Sequence, residues 1–150
     1  MKERQERWDA RFLEMAELVA TWSKDPSTKV GAILVDPARR VTSTGYNGFP
    51  RGVDDSWERY ADREQKYAMV VHAELNAILT ACSGGMDVMG CTLYVTRAPC
   101  AECAKSIIQA GIVRVVWASD TDPAMSIRWA DSRATMRTMF DESGVDVEIL

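Results

Sequence analysis

Hydrophobic and polar positions follow a helical period at the start of the chain. Over residues 6–23 the apolar side chains recur at spacings of three and four, which predicts an amphipathic helix. They are Trp8, Phe12, Met15, Ala16, Val19 and Ala20. Asp25 and Pro26 follow. Because a residue before proline disfavours helical backbone, we expect the helix to end before Pro26.

The next apolar runs are short and typical of β-strands. Residues 29–35 and 40–46 are two such runs, and the turn-forming pair Asp36-Pro37 separates them, so they are predicted to form a hairpin. A loop rich in Gly, Pro and Asp is expected from residue 47 to about residue 55.

The second half of the chain alternates between helical and extended patterns. Predicted helices cover residues 72–81, 100–109 and 123–143, and predicted strands cover residues 91–96, 113–118 and 145–149. This alternation favours parallel pairing with helices on both faces. We therefore predict one α/β domain over residues 1–150. It is a three-layer α/β/α fold with a mixed sheet of about five strands, beginning with the antiparallel hairpin.

Composition and charge narrow the function classes. The chain is 47% hydrophobic and 27% charged, and it contains no apolar run long enough to span a bilayer. Its opening residues, MKERQERWDARF, lack the pattern of a secretory signal, so a cytoplasmic location is expected. A net charge of −4 argues against a polymeric nucleic acid and favours a small ligand.

Four cysteines stand in the second half of the chain, and their surroundings divide them into two pairs. Cys82 ends an apolar helical run and Cys91 opens an apolar strand, so both are predicted to be buried, inert thiols. Cys100 and Cys103 form a Cys-x-x-Cys directly after Pro99. In a reducing compartment such a pair is more often a metal site than a disulfide.

One histidine joins this pair as a predicted zinc site. His72 is the only histidine in the chain, and one nitrogen with two thiolates suits zinc. Three protein ligands leave the fourth position open to water, whose pKa zinc lowers from about 15.7 to about 7, so that a zinc-bound hydroxide forms near neutral pH. The alternative is a closed structural site in which Cys82 or Cys91 is the fourth ligand.

Glu74 is the predicted catalytic residue. It lies two residues after His72, so the two side chains leave the first helical turn in different directions and Glu74 need not bind the metal. Its carboxylate can take a proton from the zinc-bound water and deliver it to a substrate nitrogen. His-x-Glu followed by Pro-Cys-x-x-Cys is the signature of zinc deaminases.

With these motifs in place, the chain resembles the deoxycytidylate (dCMP) deaminase family of the cytidine deaminase-like fold over nearly its whole length. The segments that carry the resemblance are SKDPSTKVGAILV, STGYNGFPRG, HAELNAI and GCTLYVT followed by PCAECAKSIIQAGI. Relatives that act on bases, nucleosides or tRNA share the zinc motifs, but the SKDP and GYNGFP segments together distinguish the dCMP enzymes.

The resemblance implies hydrolysis of dCMP to dUMP and ammonia, supplying dUMP for thymidylate synthesis. It further implies that Asn47 hydrogen-bonds the deoxyribose and that Ser23 and Lys24 bind the phosphate. Ala73 and Pro99, which adjoin the zinc ligands, are implied to contact the substrate.

Enzymes of this family are regulated by nucleotides, and the resemblance implies that the GYNGFPRG loop of this chain binds such effectors. It implies an effector site at Gly45, Tyr46, Gly48, Phe49 and Arg51, where dCTP with Mg²⁺ activates and dTTP inhibits. It also implies a homo-oligomer, with a hexamer favoured.

The chain departs from the family's pattern in ways that keep alternatives open. Arg97-Ala98 stands where the family has an apolar residue followed by Phe or Ser, and a single histidine leaves no evident second zinc site. Other cytosine nucleotides, namely dCTP or 5-substituted dCMP, therefore remain alternative substrates. A nucleic-acid deaminase and a non-catalytic zinc module are the rival classes.

Overall fold

The computed structural model describes residues 1–150 as seven helices and five strands. The helices are α1 Lys2–Ala20, α2 Trp57–Ala61, α3 Arg63–Met69, α4 Ala73–Ser83, α5 Ala101–Gln109, α6 Pro123–Arg128 and α7 Ala130–Ser143. The strands are β1 Gly31–Val35, β2 Val41–Tyr46, β3 Thr92–Val95, β4 Arg114–Trp117 and β5 Asp146–Ile149. None of the helices combines the length and apolar composition required to cross a membrane.

The five strands form one mixed sheet in the order β2-β1-β3-β4-β5. β1 runs antiparallel to both of its neighbours, whereas β3, β4 and β5 are parallel. Since β2 and β3 are each antiparallel to β1, β2 shares the direction of the parallel strands. The predicted mixed sheet and its opening hairpin are confirmed.

Helices cover both faces of the sheet, which confirms the three-layer architecture. Alternate residues of β1 point to opposite faces, so that Ile33 packs on the α1 side and Leu34 packs on the side of α4, α5 and α7. Strand β1 is buried along its whole length, which explains its uninterrupted apolar sequence.

A glycine brings β2 against α4, the helix that begins directly after His72. A Cβ atom at Gly45 would lie 2.3 Å from the backbone oxygen of Ala73 and 2.3 Å from the backbone nitrogen of Ala77. Only glycine permits so close an approach of two backbones. Gly45 therefore fixes the position of the start of α4 relative to the sheet.

The helices differ from the predictions in three places. α1 extends from Lys2 to Ala20 rather than over residues 6–23, and α2 and α3 occupy a polar segment for which no element was predicted. The single helix predicted over residues 123–143 is wrong, because Trp129 leaves helical geometry and divides it into α6 and α7. After this break α7 packs on α5, where the Ser132 hydroxyl accepts a hydrogen bond from the Ala101 amide.

One of the two cysteines predicted to be inert and buried is exposed. Cys91 is buried as predicted, but Cys82 is on the surface. The buried face of α4 is formed at its end by Ile78 and Ala81. Cys82 follows Ala81 by one residue, about 100° around the helix, and so faces solvent.

A buried ion pair joins α1 to the sheet. Both carboxylate oxygens of Asp9 accept hydrogen bonds from the Arg114 guanidinium at 2.9 Å, and the Tyr94 hydroxyl donates another at 2.6 Å. Burial alone would raise the pKa of Asp9, but the hydrogen bonds from Arg114, Tyr94 and Gln5 outweigh burial and lower it. The carboxylate is therefore stabilised in its charged form.

Asp9→Asn is expected to lower the free energy of unfolding by about 3 kcal/mol, because it leaves a largely buried Arg114 without its bidentate partner. Asp55→Asn removes an exposed ion pair with Lys24 and serves as a control that changes stability little. Urea denaturation at several pH values measures both. Since the pKa of Asp9 is lower when folded, its contribution is present above its ordinary value of 3.8 and is lost as the pH falls through the folded pKa. A constant difference between wild type and variant down to that pH would contradict this assignment.

Candidate active site

Two helix N-termini meet at the carboxyl edge of the parallel strands. His72 is the residue before α4, and Cys100 is the residue before α5, which follows β3. Cys103 lies in the first turn of α5. This edge is where open α/β sheets bind their ligands, and the positive ends of both helix dipoles favour thiolates there.

The three predicted metal ligands are brought together. The Sγ atoms of Cys100 and Cys103 each lie 3.4 Å from Nδ1 of His72, and all three ligand atoms fall within 4.8 Å of one another. In a tetrahedral zinc site, bonds of about 2.3 Å to sulfur and about 2.0–2.1 Å to nitrogen separate these atoms by about 3.5 Å. The cluster therefore has the size and donor set for zinc, and neither Cys82 nor Cys91 belongs to it.

Hydrogen bonds within the cluster lower the pKa of one of its thiols, which favours binding of a cation. The hydrogen bond from the Cys103 thiol and the contact with His72 together lower the pKa of Cys100 to about 4, although burial opposes this shift. The lowered pKa favours the thiolate form of Cys100, which is the form that binds a metal. A bound metal would displace the remaining proton from Cys103, since cysteine ligates as the thiolate.

Glu74 is buried beside the cluster. Its side chain comes from the first turn of α4, and its Oε2 lies 3.6 Å from Sγ of Cys103. Burial raises the pKa of Glu74 above its ordinary value, while the nearby His72 opposes this shift. A buried carboxyl group beside three potential metal ligands would be suited to exchanging protons with a water bound at the metal.

The cluster opens into a cleft whose walls combine apolar and polar side chains, as the walls of small-molecule sites do. Of the residues predicted to contact substrate, Asn47, Ala73 and Pro99 line it. Its other walls come from the loop after α1, from α3 and the residue that follows it, from the loop between β3 and α5, and from α6 and α7. The residues of these walls are Asp25, Thr28, Val30, Lys66, Tyr67, Val70, Arg97, Ala98, Met125, Arg128, Trp129 and Arg133.

Asn47 is held in place by backbone groups on both sides of its amide. Its Oδ1 accepts a hydrogen bond from the Val30 amide at 2.8 Å, and its Nδ2 donates to the Thr28 carbonyl at 2.8 Å. The hydroxyl of Ser23 donates to the Asn47 carbonyl at 2.8 Å. These bonds fix the side chain at the cleft wall.

The structure does not bring the two predicted phosphate-binding residues into the cleft. Ser23 is buried and engaged with the backbone of Asn47, so it stands behind the wall. Lys24 is exposed and forms an ion pair with Asp55 at 2.6 Å. Neither residue lines the open space.

A buried ion pair that the sequence analysis did not single out lies in the wall. Asp25 accepts hydrogen bonds from Lys66 at 2.9 Å and from the backbone amides of Ser27 and Thr28. Burial by itself would raise the pKa of Asp25, but these bonds outweigh it and lower the pKa. Asp25 belongs to the SKDP segment, but its partner Lys66 on α3 is 41 residues away in sequence, so the sequence does not show the pair.

The residues of the predicted effector loop lie outside the cleft. Gly45 packs against α4, Tyr46 is exposed with its carbonyl bound by Asn76, and Phe49 stacks on Tyr60 with ring centroids 4.5 Å apart. Gly48 pairs with Val71 through backbone hydrogen bonds, and Arg51 is exposed.

Comparison with known proteins agrees with this geometry. Residues 6–119 match the family described as the cytidine and deoxycytidylate deaminase zinc-binding region. Human deoxycytidylate deaminase is 42% identical over 143 residues, which cover 92% of this chain and 76% of that protein. A protein of Aliivibrio fischeri, named as an uncharacterized deaminase in the luxG 3' region, is 45% identical over 141 residues, covering 94% and 92% of the two chains.

A solved structure has the same fold. The crystal structure of dCMP deaminase from the cyanophage S-TIM5, in complex with dCMP and dUMP, is similar with a TM-score of 0.74 and 27% sequence identity. The similarity covers 94% of this chain and 95% of that one.

Proposed function

Because the chain belongs to the cytidine and deoxycytidylate deaminase zinc-binding family, we propose that it hydrolyses dCMP to dUMP and ammonia. The observation that carries the proposal is the group formed by His72, Cys100 and Cys103, with the buried Glu74 carboxylate 3.6 Å from one of the thiols. Relatives named as deoxycytidylate deaminases, at about 43% identity, support dCMP as the substrate.

His72, Cys100 and Cys103 hold the zinc ion in this proposal. Zinc bound there supplies a Lewis acid with one coordination position open to water. His72 and Cys100 both line the cleft, so a zinc ion held by the three side chains would be accessible from it. Residues 1–150 act as one zinc-dependent deaminase domain.

Glu74 moves the protons of the reaction. Its carboxylate accepts a proton as water adds to C4 of the cytosine, and it delivers that proton to N3 of the ring. It then transfers the second proton of the water to the exocyclic amine, which leaves as ammonia. The raised pKa favours this cycle, because a group that both accepts and donates works best when its pKa approaches the operating pH.

The remaining residues position the ring and sugar. Ala73 and Pro99 form the wall next to the zinc ligands, and Asn47 presents an amide that is fixed by the Thr28 carbonyl and the Val30 amide. A second lone pair on its Oδ1 is available to a sugar hydroxyl. Ser23 acts on the substrate indirectly, by holding the backbone of Asn47.

A substrate panel tests the proposal. We expect dCMP to be deaminated with a kcat/KM at least about 10²-fold above that of deoxycytidine, since charge-assisted hydrogen bonds to a phosphate contribute about 1.5–3 kcal/mol each. Loss of cytosine absorbance measures each substrate, with dCTP and 5-methyl-dCMP included as the alternative nucleotides. Equal efficiency on deoxycytidine would place the protein among the nucleoside deaminases.

A single-stranded oligonucleotide belongs in the same panel, because it represents the rival class of nucleic-acid deaminases. The net charge of −4 favours the mononucleotide. Efficient deamination of the oligonucleotide with none of dCMP would overturn the proposal.

Regulation by dCTP with Mg²⁺ and by dTTP, a hexameric assembly and a cytoplasmic location stay predictions of the sequence analysis. For the effector loop, the contacts of Gly45, Gly48 and Phe49 are all internal to the chain. An effector at this loop would therefore act through the exposed Tyr46 and Arg51.

A further inference from the structure

Arg97 lines the cleft without a partner of its own. It follows β3 and precedes the zinc ligand Cys100 by three residues. Its Nη1 is buried without a hydrogen-bond partner, and the structure gives the side chain no ion pair. A buried unpaired guanidinium nitrogen is costly unless a ligand satisfies it.

Arg128, at the end of α6, lines the same cleft and also has no carboxylate partner. Its guanidinium lies over the rings of Tyr67 and Trp129, at 4.8 Å and 5.6 Å from their centroids, and donates a hydrogen bond to the Tyr67 hydroxyl. Both rings belong to the cleft wall. This stacking holds the exposed Arg128 side chain at the mouth of the cleft.

The ion pairs of the cleft leave these two arginines without a carboxylate partner. Of the four cationic side chains in its lining, Lys66 is paired with Asp25 at 2.8 Å and Arg133 is paired with Asp120 at 2.7 Å. Arg97 and Arg128 remain, with two positive charges. A nucleoside monophosphate carries a phosphate charge close to −2 at neutral pH, which these two charges balance.

We propose that Arg97 and Arg128 form the subsite that binds the 5′-phosphate of the substrate. This inference rests on the proposed function, because it assumes that the cleft binds a cytosine nucleotide. Guanidinium groups suit the task, since they donate paired hydrogen bonds to phosphate oxygens and keep their charge at all relevant pH values. The placement explains how the chain binds a phosphate although Ser23 and Lys24 do not line the cleft.

Arginine substitutions test the subsite through the ratio of two substrates. In Arg97→Met and Arg128→Met, we expect the ratio of kcat/KM for dCMP to that for deoxycytidine to fall about 10- to 100-fold, because each removes a charge-assisted contact made only by the nucleotide. Arg97→Lys should retain part of the ratio. Arg4→Met, which removes an exposed arginine of α1, is the control and keeps the wild-type ratio. Calorimetric titration with dUMP gives a second measurement, in which the dissociation constant rises by a similar factor.

The outcomes separate this inference from the proposed function. A wild-type enzyme that prefers dCMP, together with variants that keep the preference, would overturn the subsite alone, whereas a wild type inactive on dCMP would overturn the proposed function. Parallel losses on dCMP and deoxycytidine in both variants would mean that the arginines support the fold, and would also refute the subsite. A wild-type preference for dCTP that the substitutions abolish would contradict a monophosphate site. Arg128 is exposed, so its variant should fold even if Arg97→Met does not.

Discussion

Cys103→Ala is expected to lose its zinc and its deaminase activity together. The thiol of Cys103 lies 3.4 Å from Nδ1 of His72 and supplies one of three ligands in the cluster. Structural zinc sites bind with about 10–16 kcal/mol in total, so the loss of one ligand should weaken binding by on the order of 10²–10³-fold. Metal analysis of the purified protein should fall from about one zinc per chain to a small fraction, with the rate of dCMP deamination falling to background.

Cys82→Ala is the matched control, because Cys82 is exposed and lies outside the cluster. It should keep both zinc and activity. Zinc retained at one per chain in Cys103→Ala would show that the metal is held elsewhere, and activity retained without zinc would remove the metal from the mechanism.

Glu74→Gln is expected to keep zinc and to lose catalysis. Glutamine preserves the size of the side chain and its capacity to hydrogen-bond, but it cannot cycle a proton near neutral pH. The three ligands are unchanged, so the metal content should stay at about one per chain. The rate should fall by at least about 10²–10⁴-fold, or about 3–5 kcal/mol of transition-state stabilisation. Since the same carboxylate serves several proton transfers, the loss falls on kcat and leaves the zinc content unchanged.

Glu102→Gln is the control for this substitution. Glu102 is exposed on α5, in the same Cys-x-x-Cys segment, and pairs with Lys105 at 2.7 Å. It should have wild-type zinc and rate. Loss of zinc in Glu74→Gln would make Glu74 a ligand or a structural support, and a wild-type rate would assign the proton transfers to another group.

The parts of the fold that follow from local pattern were predictable from the sequence. Buried strand β1 appears as an uninterrupted apolar run, and α1 has its apolar stripe on one face. The ligands His72, Cys100 and Cys103 were recognisable from the spacing of their motifs in the sequence. Each lies at a helix N-terminus next to the sheet edge. For Cys100 and Cys103 this placement follows from strand-helix alternation, because α5 comes directly after β3, whereas α4 follows the unpredicted helices α2 and α3.

Features that depend on tertiary contact were not predictable. The break at Trp129 has no proline or glycine to mark it, and it is stabilised by the packing of α7 on α5. The apolar run predicts a buried Cys82, but the helical period places Ala81 inward and Cys82 outward.

The residues that meet in the cleft wall were also not predictable from the sequence. Lys66 and Asp25 are 41 residues apart, and Arg97 and Arg128 come from different elements. Segments of polar sequence, such as α3, carry no periodic signal that would direct their side chains toward a site. Their convergence is a property of the folded chain, and it identifies the cationic side of the cleft.

The central claim is that this chain adds water to C4 of dCMP at a zinc site, and one measurement tests it most directly. Zinc-loaded protein is incubated with dCMP in water enriched in ¹⁸O, and the product is identified by mass spectrometry. The account predicts dUMP that carries one ¹⁸O atom, formed together with one equivalent of ammonia, and none of this product from Glu74→Gln at the same zinc content on the same time scale. Unchanged dCMP in the wild-type reaction, or dUMP formed equally by zinc-free protein, would contradict it.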